Sequence, residues 1–147
     1  MLVARRADKL ETLAAELSAR HRVRTWVEAT DLSLPDAAKK LYGKLRRKKL
    51  VIDILVNNAG IIENGAFVDM PPERGQELIG LNVAAMTAML SYFIPPMVAR
   101  GHGRILNLGS TSSFLPVPTL ATYAATKAFV LSMTESLSEE LKGLGGE

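Results

Sequence analysis

Short apolar segments alternate along the chain with longer segments in which apolar residues recur at helical spacing. This pattern predicts strands at 1–4, 23–29, 51–56 and 104–108. It predicts helices at 8–20, 36–49, 72–100 and 119–144. Strands that alternate with helices are typical of a parallel sheet covered by helices. The sequence therefore predicts an α/β fold with a doubly wound parallel sheet, in a single domain over 1–147.

Two features refine these elements. Segment 51–56 is almost continuously apolar, which predicts a strand buried on both faces, and segment 104–108 is predicted to be another buried strand. In the helix at 72–100, Pro95 and Pro96 lack the backbone N–H that a helix interior needs, so we expect this helix to bend or end near them.

Composition places the chain in the globular class. Of its 147 residues, 48% are apolar and 22% are charged, and the net charge of +3 is too small to indicate nucleic acid by itself. The basic run 44–49 is expected to be a solvated helix end, with nucleic acid or an acidic membrane surface as the alternative. No nucleic-acid partner is expected.

Several residue types are absent or dispersed. The chain has no cysteine, which excludes disulfides and fits the reducing cytoplasm, where we expect the protein to reside. His21 and His102 lie far apart and no cluster has metal-ligand spacing, so no metal site is expected. The uncharged segment 78–99 contains Asn82 and two prolines, so we expect a core helix and no membrane span.

A tyrosine and a lysine occur four residues apart, at Tyr123 and Lys127. This spacing places them one turn apart on the same helix face. A free tyrosine has a pKa of about 10, and a neighbouring ammonium lowers it, so such a pair can exchange a proton with a substrate oxygen near neutrality. Taken alone, the pair could also arise by chance.

Polar residues follow two predicted strands. Ser110 follows the strand at 104–108, and Asn57, Asn58, Ala59 and Gly60 follow the strand at 51–56. Ligands bind at the carboxyl ends of parallel strands, where a serine hydroxyl can hold a carbonyl group. Taken separately, these segments could be a polar loop and a strand-ending turn.

In this order and spacing, the Asn-Asn-Ala-Gly segment, Asn82, Ser110 and the Tyr123–Lys127 pair resemble the short-chain dehydrogenase/reductase family. The resemblance extends over essentially the whole chain. It implies hydride transfer between a nicotinamide cofactor and a small-molecule carbonyl or alcohol. It also implies that the protein forms a homo-oligomer.

The resemblance also implies roles for individual residues. Tyr123 is the expected acid–base, Lys127 lowers the pKa of that tyrosine and binds the nicotinamide ribose, and Ser110 positions the carbonyl. Asn82 supports a water-linked proton relay. The expected cofactor-binding residues, besides Tyr123 and Lys127, are Asn58, Ala59 and Gly60 on the adenosine side and Asp31 and Leu32 near the adenine ring.

The cofactor is expected to be NADP(H) rather than NAD(H). NAD-binding proteins usually place an acidic residue after the second strand of this fold, where it binds the ribose 2′-hydroxyl. Here that position holds Arg5 and Arg6, and guanidinium groups suit a 2′-phosphate. The alternative is that both arginines are solvated residues between a strand and a helix.

Two parts of the family pattern are missing from this sequence. It has no strand followed by a Gly-rich turn that would seat a pyrophosphate, and no strands after the last helix. In the doubly wound order 3-2-1-4-5 that first strand is central, so we expect an incomplete sheet. We hypothesise that the chain alone binds cofactor poorly, and that it is a fragment of a longer enzyme or that another chain covers the gap. A truncated, non-catalytic remnant that serves as a binding or assembly piece is the alternative.

Overall fold

The structure is a computed structural model in which residues 1–144 are described. Its strands are Leu2–Ala4 (β1), Val27–Ala29 (β2), Ile54–Asn57 (β3) and Arg104–Asn107 (β4). Its α-helices are Ala7–His21 (α1), Ala37–Arg47 (α2), Pro72–Ile79 (α3), Met86–Arg100 (α4) and Ala121–Glu140 (α5). Short helices of other types are the 3-10 helices Phe67–Asp69 and Thr111–Ser113 and the π-helix Gly80–Ala85 between α3 and α4. The alternation of strands and helices agrees with the predicted α/β class.

The four strands form two separate parallel pairs within residues 1–144. β1 pairs with β2, from Leu2 opposite Val27 to Ala4 opposite Ala29. β3 pairs with β4, from Ile54 opposite Arg104 to Asn57 opposite Asn107. No ladder joins β1 to β3 in the described part of the chain. The sheet is therefore incomplete, as the sequence predicted.

The main hydrophobic core lies beneath both strand pairs. It is built from Leu41 and Leu45 of α2, Leu55 of β3, and Met89 and Phe93 of α4. The partly buried Val3 of β1 also packs against this cluster. α2 and α4 therefore hold the two strand pairs together by side-chain packing instead of backbone hydrogen bonds.

The prediction that the strands are buried on both faces is wrong. Leu55 is 8% exposed, whereas Ile54 is 65%, Val56 52% and Leu106 54% exposed. Side chains alternate between the two faces of a strand. The helices that pack beneath the pairs cover only the face that Leu55 shares, so within residues 1–144 the opposite face of β3 and β4 is open.

The helical region 72–100 is irregular at a different place from the prolines at which we predicted a bend or an end. α4 continues through Pro95 and Pro96 to Arg100, and the C-cap residue Gly101 has a left-handed φ of 63°. The missing hydrogen bonds do not break α4, because it buries Phe93 before the prolines and Met97 after them. The irregularity lies instead at the π-helix Gly80–Ala85.

Two other elements are shorter than predicted. β2 begins at Val27 instead of residue 23, and its three residues pair with the three residues of β1. α5 covers Ala121–Glu140, since Thr119 adopts a left-handed φ of 67° just before it. Residues 145–147 of the predicted domain lie outside the described residues.

By length and composition alone, the helical region Pro72–Arg100 could cross a membrane. An 18-residue window in it has a mean hydropathy of 1.6, and 33% of that window is buried inside the protein. Core helices can pass the same test. Here α4 packs against α2, and α3 packs against α5.

Candidate functional site

Asn82 lies inside the π-helix Gly80–Ala85 and is 3% exposed. Its Oδ1 accepts a hydrogen bond from the Ile61 backbone N–H at 2.9 Å, and its Nδ2 donates to the Ile61 carbonyl at 2.9 Å. The side chain thus binds both backbone groups of one residue in the loop after β3. A π-helix contains an additional residue relative to an α-helix, and such bulges often occur at functional sites.

Thr126 connects Asn82 to α5. The Thr126 hydroxyl accepts a hydrogen bond from Asn82 Nδ2 at 3.1 Å and donates one to the Tyr123 carbonyl at 2.7 Å. Thr126 is 3% exposed, so this bridge is shielded from water. It fixes the first turns of α5, which contain Tyr123, against the π-helix.

Lys127 is a buried cation one turn after Tyr123. It is 8% exposed, and its Nζ donates a hydrogen bond to the Leu108 carbonyl at 2.7 Å. Burial lowers the pKa of this ammonium below its ordinary value, because desolvation disfavours the charged form. Lys127 Nζ lies 5.8 Å from the centroid of the Tyr123 ring. The residue that follows β4, Leu108, therefore anchors the cation beside the phenol.

Gly60 lies where Asn82 and Lys127 approach the loop after β3. A Cβ atom at this position would lie 3.2 Å from Asn82 Oδ1 and 3.9 Å from Lys127 Nζ. The first distance is tighter than an ordinary van der Waals contact. Glycine therefore permits the loop to come close to both polar side chains.

Ser110 is the N-cap of the 3-10 helix Thr111–Ser113. Its Oγ accepts hydrogen bonds from the Ser112 backbone N–H at 3.2 Å and from Ser112 Oγ at 2.8 Å. The Ser110 N–H in turn donates to Ser113 Oγ at 3.3 Å. In the two bonds from Ser112, Ser110 Oγ is the acceptor, so the Ser110 hydroxyl proton is available to a ligand.

Most of the predicted cofactor residues line one cleft of about 430 Å³. This cleft, between β1 and β3, is called the inter-sheet cleft below. The predicted site residues that line it are Arg5, Asp31, Leu32, Asn58, Ala59, Gly60, Asn82 and Lys127. Arg6, Ser110 and Tyr123 do not line it. Ser110 and Tyr123 instead adjoin it through Leu108 and Lys127, and α5 packs against the 3-10 helix that Ser110 caps.

A family model described as short chain dehydrogenase matches residues 1–145. The chain belongs to the short-chain dehydrogenase/reductase family. A curated relative, very-long-chain 3-oxoacyl-CoA reductase of Bos taurus, is 36% identical over 149 residues. The match covers 99% of this chain and 47% of the relative, so the chain spans about half the length of this relative.

Solved short-chain dehydrogenases share the fold. One from Sphingobium yanoikuyae in complex with NADPH is 37% identical with a TM-score of 0.91, and the match covers 99% of this chain and 56% of that chain. A metagenomic short-chain oxidoreductase in complex with NADP is 32% identical with a TM-score of 0.92, covering 99% and 66%. The likeness establishes that this chain has a Rossmann-like fold, incomplete relative to the full family fold.

Two of the predicted cofactor-binding residues, Asp31 and Arg6, differ in their surroundings. Asp31 Oδ1 accepts hydrogen bonds from Ser33 Oγ at 2.6 Å and from the Ser33 N–H at 3.0 Å. These bonds, with a smaller contribution from the charge of Arg5, hold the pKa of the Asp31 carboxyl below its usual range. Arg6 is exposed and precedes α1 without a side-chain cap, so its predicted place in the cofactor site is not supported by the lining of the cleft.

Sequence reasoning missed Thr126 and Ser112. Both are buried hydroxyls that form a hydrogen bond with a predicted site residue. Thr126 accepts from Asn82, and Ser112 donates to Ser110. The sequence signals that could have found them were the position of Thr126 between Tyr123 and Lys127 and that of Ser112 in the polar segment 110–113. Among the residues that the structure describes, no group of three or more histidines and carboxylates could hold a metal ion.

Proposed function

We propose that this chain provides the catalytic residues of an NADP(H)-dependent oxidoreductase acting on a carbonyl or alcohol. The observation that supports it best is the buried Lys127 ammonium, fixed by the Leu108 carbonyl and 5.8 Å from the Tyr123 ring centroid. Burying an ammonium costs free energy, so its placement beside a phenol at a strand end favours a chemical role.

In the proposed reaction each polar group has one task. The Ser110 hydroxyl donates a hydrogen bond to the substrate oxygen and holds it near Tyr123. The Tyr123 hydroxyl gives its proton to that oxygen during reduction and takes it back during oxidation, assisted by the charge of Lys127. Asn82 holds the loop after β3 in place. The bound nicotinamide supplies or accepts the hydride.

The described residues fit such a cofactor. Within residues 1–144 the recorded acceptor for Lys127 is Leu108, which leaves two N–H donors for the hydroxyl groups of a ribose. Gly60 leaves room beside Lys127 where a side chain would intrude. Arg5 supplies a guanidinium to the same cleft, which suits a 2′-phosphate. The NADP and NADPH named for two solved relatives agree with this preference.

A chimaera tests the proposal. Residues 1–144 would replace the matching part of the Sphingobium yanoikuyae dehydrogenase, with which this chain shares a TM-score of 0.91. We expect NADPH-dependent reduction of compounds in a carbonyl panel. Tyr123→Phe should lower kcat about 100-fold to 10,000-fold, the usual contribution of an acid–base, while cofactor affinity changes little.

Controls separate chemistry from folding. Tyr92→Phe removes a hydroxyl from a ring that stacks on Tyr42, outside the site, and should leave kcat unchanged. Arg5→Ala should weaken NADPH binding about tenfold to 100-fold and NADH binding much less, because only the former has the 2′-phosphate. A folded chimaera with no turnover, or one in which Tyr123→Phe keeps full activity, would contradict the proposed mechanism.

A second candidate is a non-catalytic remnant that serves as a binding or assembly piece. Within residues 1–144, β1 and β3 each have a partner strand on one side only and Ile54 and Val56 are exposed, which favours this candidate. The same chimaera distinguishes the two, because a remnant freed from selection for chemistry would be inactive even when the rest of the fold is supplied.

The predicted location, oligomeric state and lack of membrane or nucleic-acid partners remain proposals. We propose a cytoplasmic homo-oligomer that binds neither membranes nor nucleic acid. The basic run supports the last point, because Lys44 and Lys48 both pair with Glu28 at 3.0 Å and 2.7 Å. Salt-dependent binding of arbitrary duplex DNA by the chain would contradict it.

A further inference from the structure

Ser112 is a buried hydroxyl beside Ser110, the residue that holds the substrate oxygen in the proposed reaction. It is 7% exposed and lies in the middle of the 3-10 helix Thr111–Ser113. Among residues 1–144, the recorded partner of its Oγ is Ser110 Oγ, at 2.8 Å. A buried hydroxyl needs a hydrogen bond, and this one forms its bond with a candidate catalytic group.

The 3-10 helix does not require the Ser112 hydroxyl for its own capping. The Ser112 backbone N–H already donates to Ser110 Oγ at 3.2 Å, which is the N-cap interaction. The Ser110 backbone N–H donates to Ser113 Oγ at 3.3 Å. An alanine at position 112 would retain both bonds and would bury no polar side-chain atom. The Ser112 hydroxyl therefore acts on Ser110 Oγ and not on the helix.

The two bonds from Ser112 decide how the Ser110 hydroxyl can bind a ligand. A hydroxyl oxygen has two lone pairs and one proton. Ser110 Oγ accepts from both the backbone N–H and the hydroxyl of Ser112, so both of its lone pairs are occupied. The proton takes the remaining tetrahedral direction. Ser110 is thereby limited to donating a hydrogen bond to a ligand.

The same two bonds make Ser110 a stronger donor. Hydrogen bonds in a chain polarise one another and strengthen by about 10–30% per bond. Because Ser112 is buried and Ser110 is half-buried, water competes little for the lone pairs of Ser110 Oγ. The pair is therefore suited to an acceptor on which negative charge increases.

Carbonyl reduction creates such an acceptor. The carbonyl carbon receives a hydride from the reduced nicotinamide, and the electron pair of the C=O π bond moves to the oxygen. The oxygen then takes the Tyr123 proton. A donor fixed in place before that proton arrives stabilises the transition state more than it stabilises the bound ketone.

We propose that Ser112 is a positioning residue of this reaction, which commits the Ser110 hydroxyl to donating its proton to the substrate oxygen. The inference rests on the proposed function, because Ser112 has this task only if Ser110 binds the substrate. It adds to the candidate site a residue that acts through the orientation and polarity of its neighbour.

The test compares two hydroxyl deletions in the chimaera described above. Ser112→Ala should lower kcat and kcat/KM for a ketone about threefold to tenfold, the contribution of one hydrogen bond, and leave the Kd of NADPH unchanged. Equal losses in the two constants indicate an interaction made in the transition state. Thr111→Ala is the matched control, because it removes an exposed hydroxyl from the same 3-10 helix, and it should leave both constants unchanged.

A double-mutant cycle separates positioning from a general effect on the fold. In the Ser110→Ala background, Ser112→Ala should change kcat less than about twofold, because the group through which it acts is gone. If Ser112 acted on the fold instead, the two losses would multiply in the double variant.

An infrared measurement reports on the Ser110 donor itself. The sample is the unreactive complex of the chimaera with NADP+ and the same ketone, labelled with ¹³C at its carbonyl. A hydrogen bond to the carbonyl oxygen weakens the C=O bond and lowers its stretching frequency. The frequency should therefore rise in Ser112→Ala and stay unchanged in Thr111→Ala.

Three outcomes would overturn the inference. They are an unchanged kcat in Ser112→Ala, losses that multiply in the double variant, and a carbonyl band that does not move. Each leaves the proposed function standing if the chimaera turns over and Tyr123→Phe does not. A folded but inactive chimaera contradicts the proposed function itself, and the role of Ser112 is then wrong as well. If Ser112→Ala fails to fold, Ser112→Cys replaces it in each comparison, because a thiol is a weaker donor of similar size.

Discussion

At the scale of single residues, the Thr126 hydroxyl links two elements of the candidate site through two hydrogen bonds. It satisfies Asn82 Nδ2 and contacts the Tyr123 carbonyl, inside a region closed to water. A buried amide donor that loses its partner costs about 1–3 kcal/mol. Because Asn82 also binds Ile61, this one hydroxyl couples α5 to the loop after β3.

We therefore predict that Thr126→Val destabilises the chain by about 1–2 kcal/mol although the side chain keeps its shape. Thr126→Ser retains the hydroxyl and should cost less. Denaturant unfolding midpoints of both variants provide the comparison. Equal midpoints for the valine and serine variants would show that the bridge contributes nothing to stability.

Glu28 is the second residue whose environment has measurable consequences. It is 8% exposed in β2 and accepts hydrogen bonds from Lys48 and Lys44 of the α2 end. The bonds from Lys48 and Lys44 hold the pKa of the Glu28 carboxyl below its usual range. The group therefore contributes stability above the ordinary glutamate pKa, and this contribution is lost as the pH falls through the lowered value.

The predicted result is that Glu28→Gln lowers the unfolding free energy at pH 7 by about 1–3 kcal/mol, since the carboxylate is buried but both lysines reach solvent. The difference from the unmodified chain should shrink below about pH 4. Urea unfolding at several pH values measures it. Glu16→Gln, at an exposed position of α1, is the control, and a pH-independent difference would refute the assigned cause.

At the scale of elements, two glycines have opposite roles. A Cβ at Gly103, just before β4, would lie 2.6 Å from the Cβ of Met97. Gly75 lies in α3, where no atom would meet an added Cβ within 4 Å. The first position needs glycine for packing between α4 and β4, whereas the second only adds flexibility to a helix.

Gly103→Ala should accordingly destabilise the chain by about 1–3 kcal/mol through overpacking. Gly75→Ala should stabilise it by about 0.5–1 kcal/mol, because alanine favours the helix. Thermal melting of the two variants in the same buffer measures both effects. A stabilising Gly103→Ala would mean that Met97 can move aside freely.

The elements also show what the sequence could reveal. The alternation of apolar and amphipathic segments was sufficient for the helices and the parallel strands, because these depend on local periodicity. The π-helix and the intact helix through Pro95 and Pro96 depend on tertiary contacts of Asn82, Phe93 and Met97, which no periodicity records. Likewise Lys127 was predicted from spacing, but its anchor on the Leu108 carbonyl was not.

For the whole molecule, the separation of the strand pairs is the dominant feature. Within residues 1–144, helix packing is what joins β1 and β2 to β3 and β4. The candidate cofactor residues Arg5 and Asn58 lie on opposite sides of the cleft between the pairs. The distance between them therefore depends on a region that lacks a continuous sheet.

The 147-residue chain alone is consequently predicted to bind NADPH at least about 100-fold more weakly than the chimaera described above, as the sequence also led us to expect. Calorimetric titration of both proteins tests this. Comparable affinities for the chain and the chimaera would contradict the prediction.

The π-helix Gly80–Ala85 also bears on how such a chain can change during evolution. A π-turn is an α-helix with one residue inserted, so a single-residue deletion there restores regular α-helix in place of a break. The flanking helices α3 and α4 would survive, but Asn82 would no longer face Ile61. One codon gained or lost at this site therefore decides whether the helix keeps the Asn82 hydrogen bonds to the loop after β3.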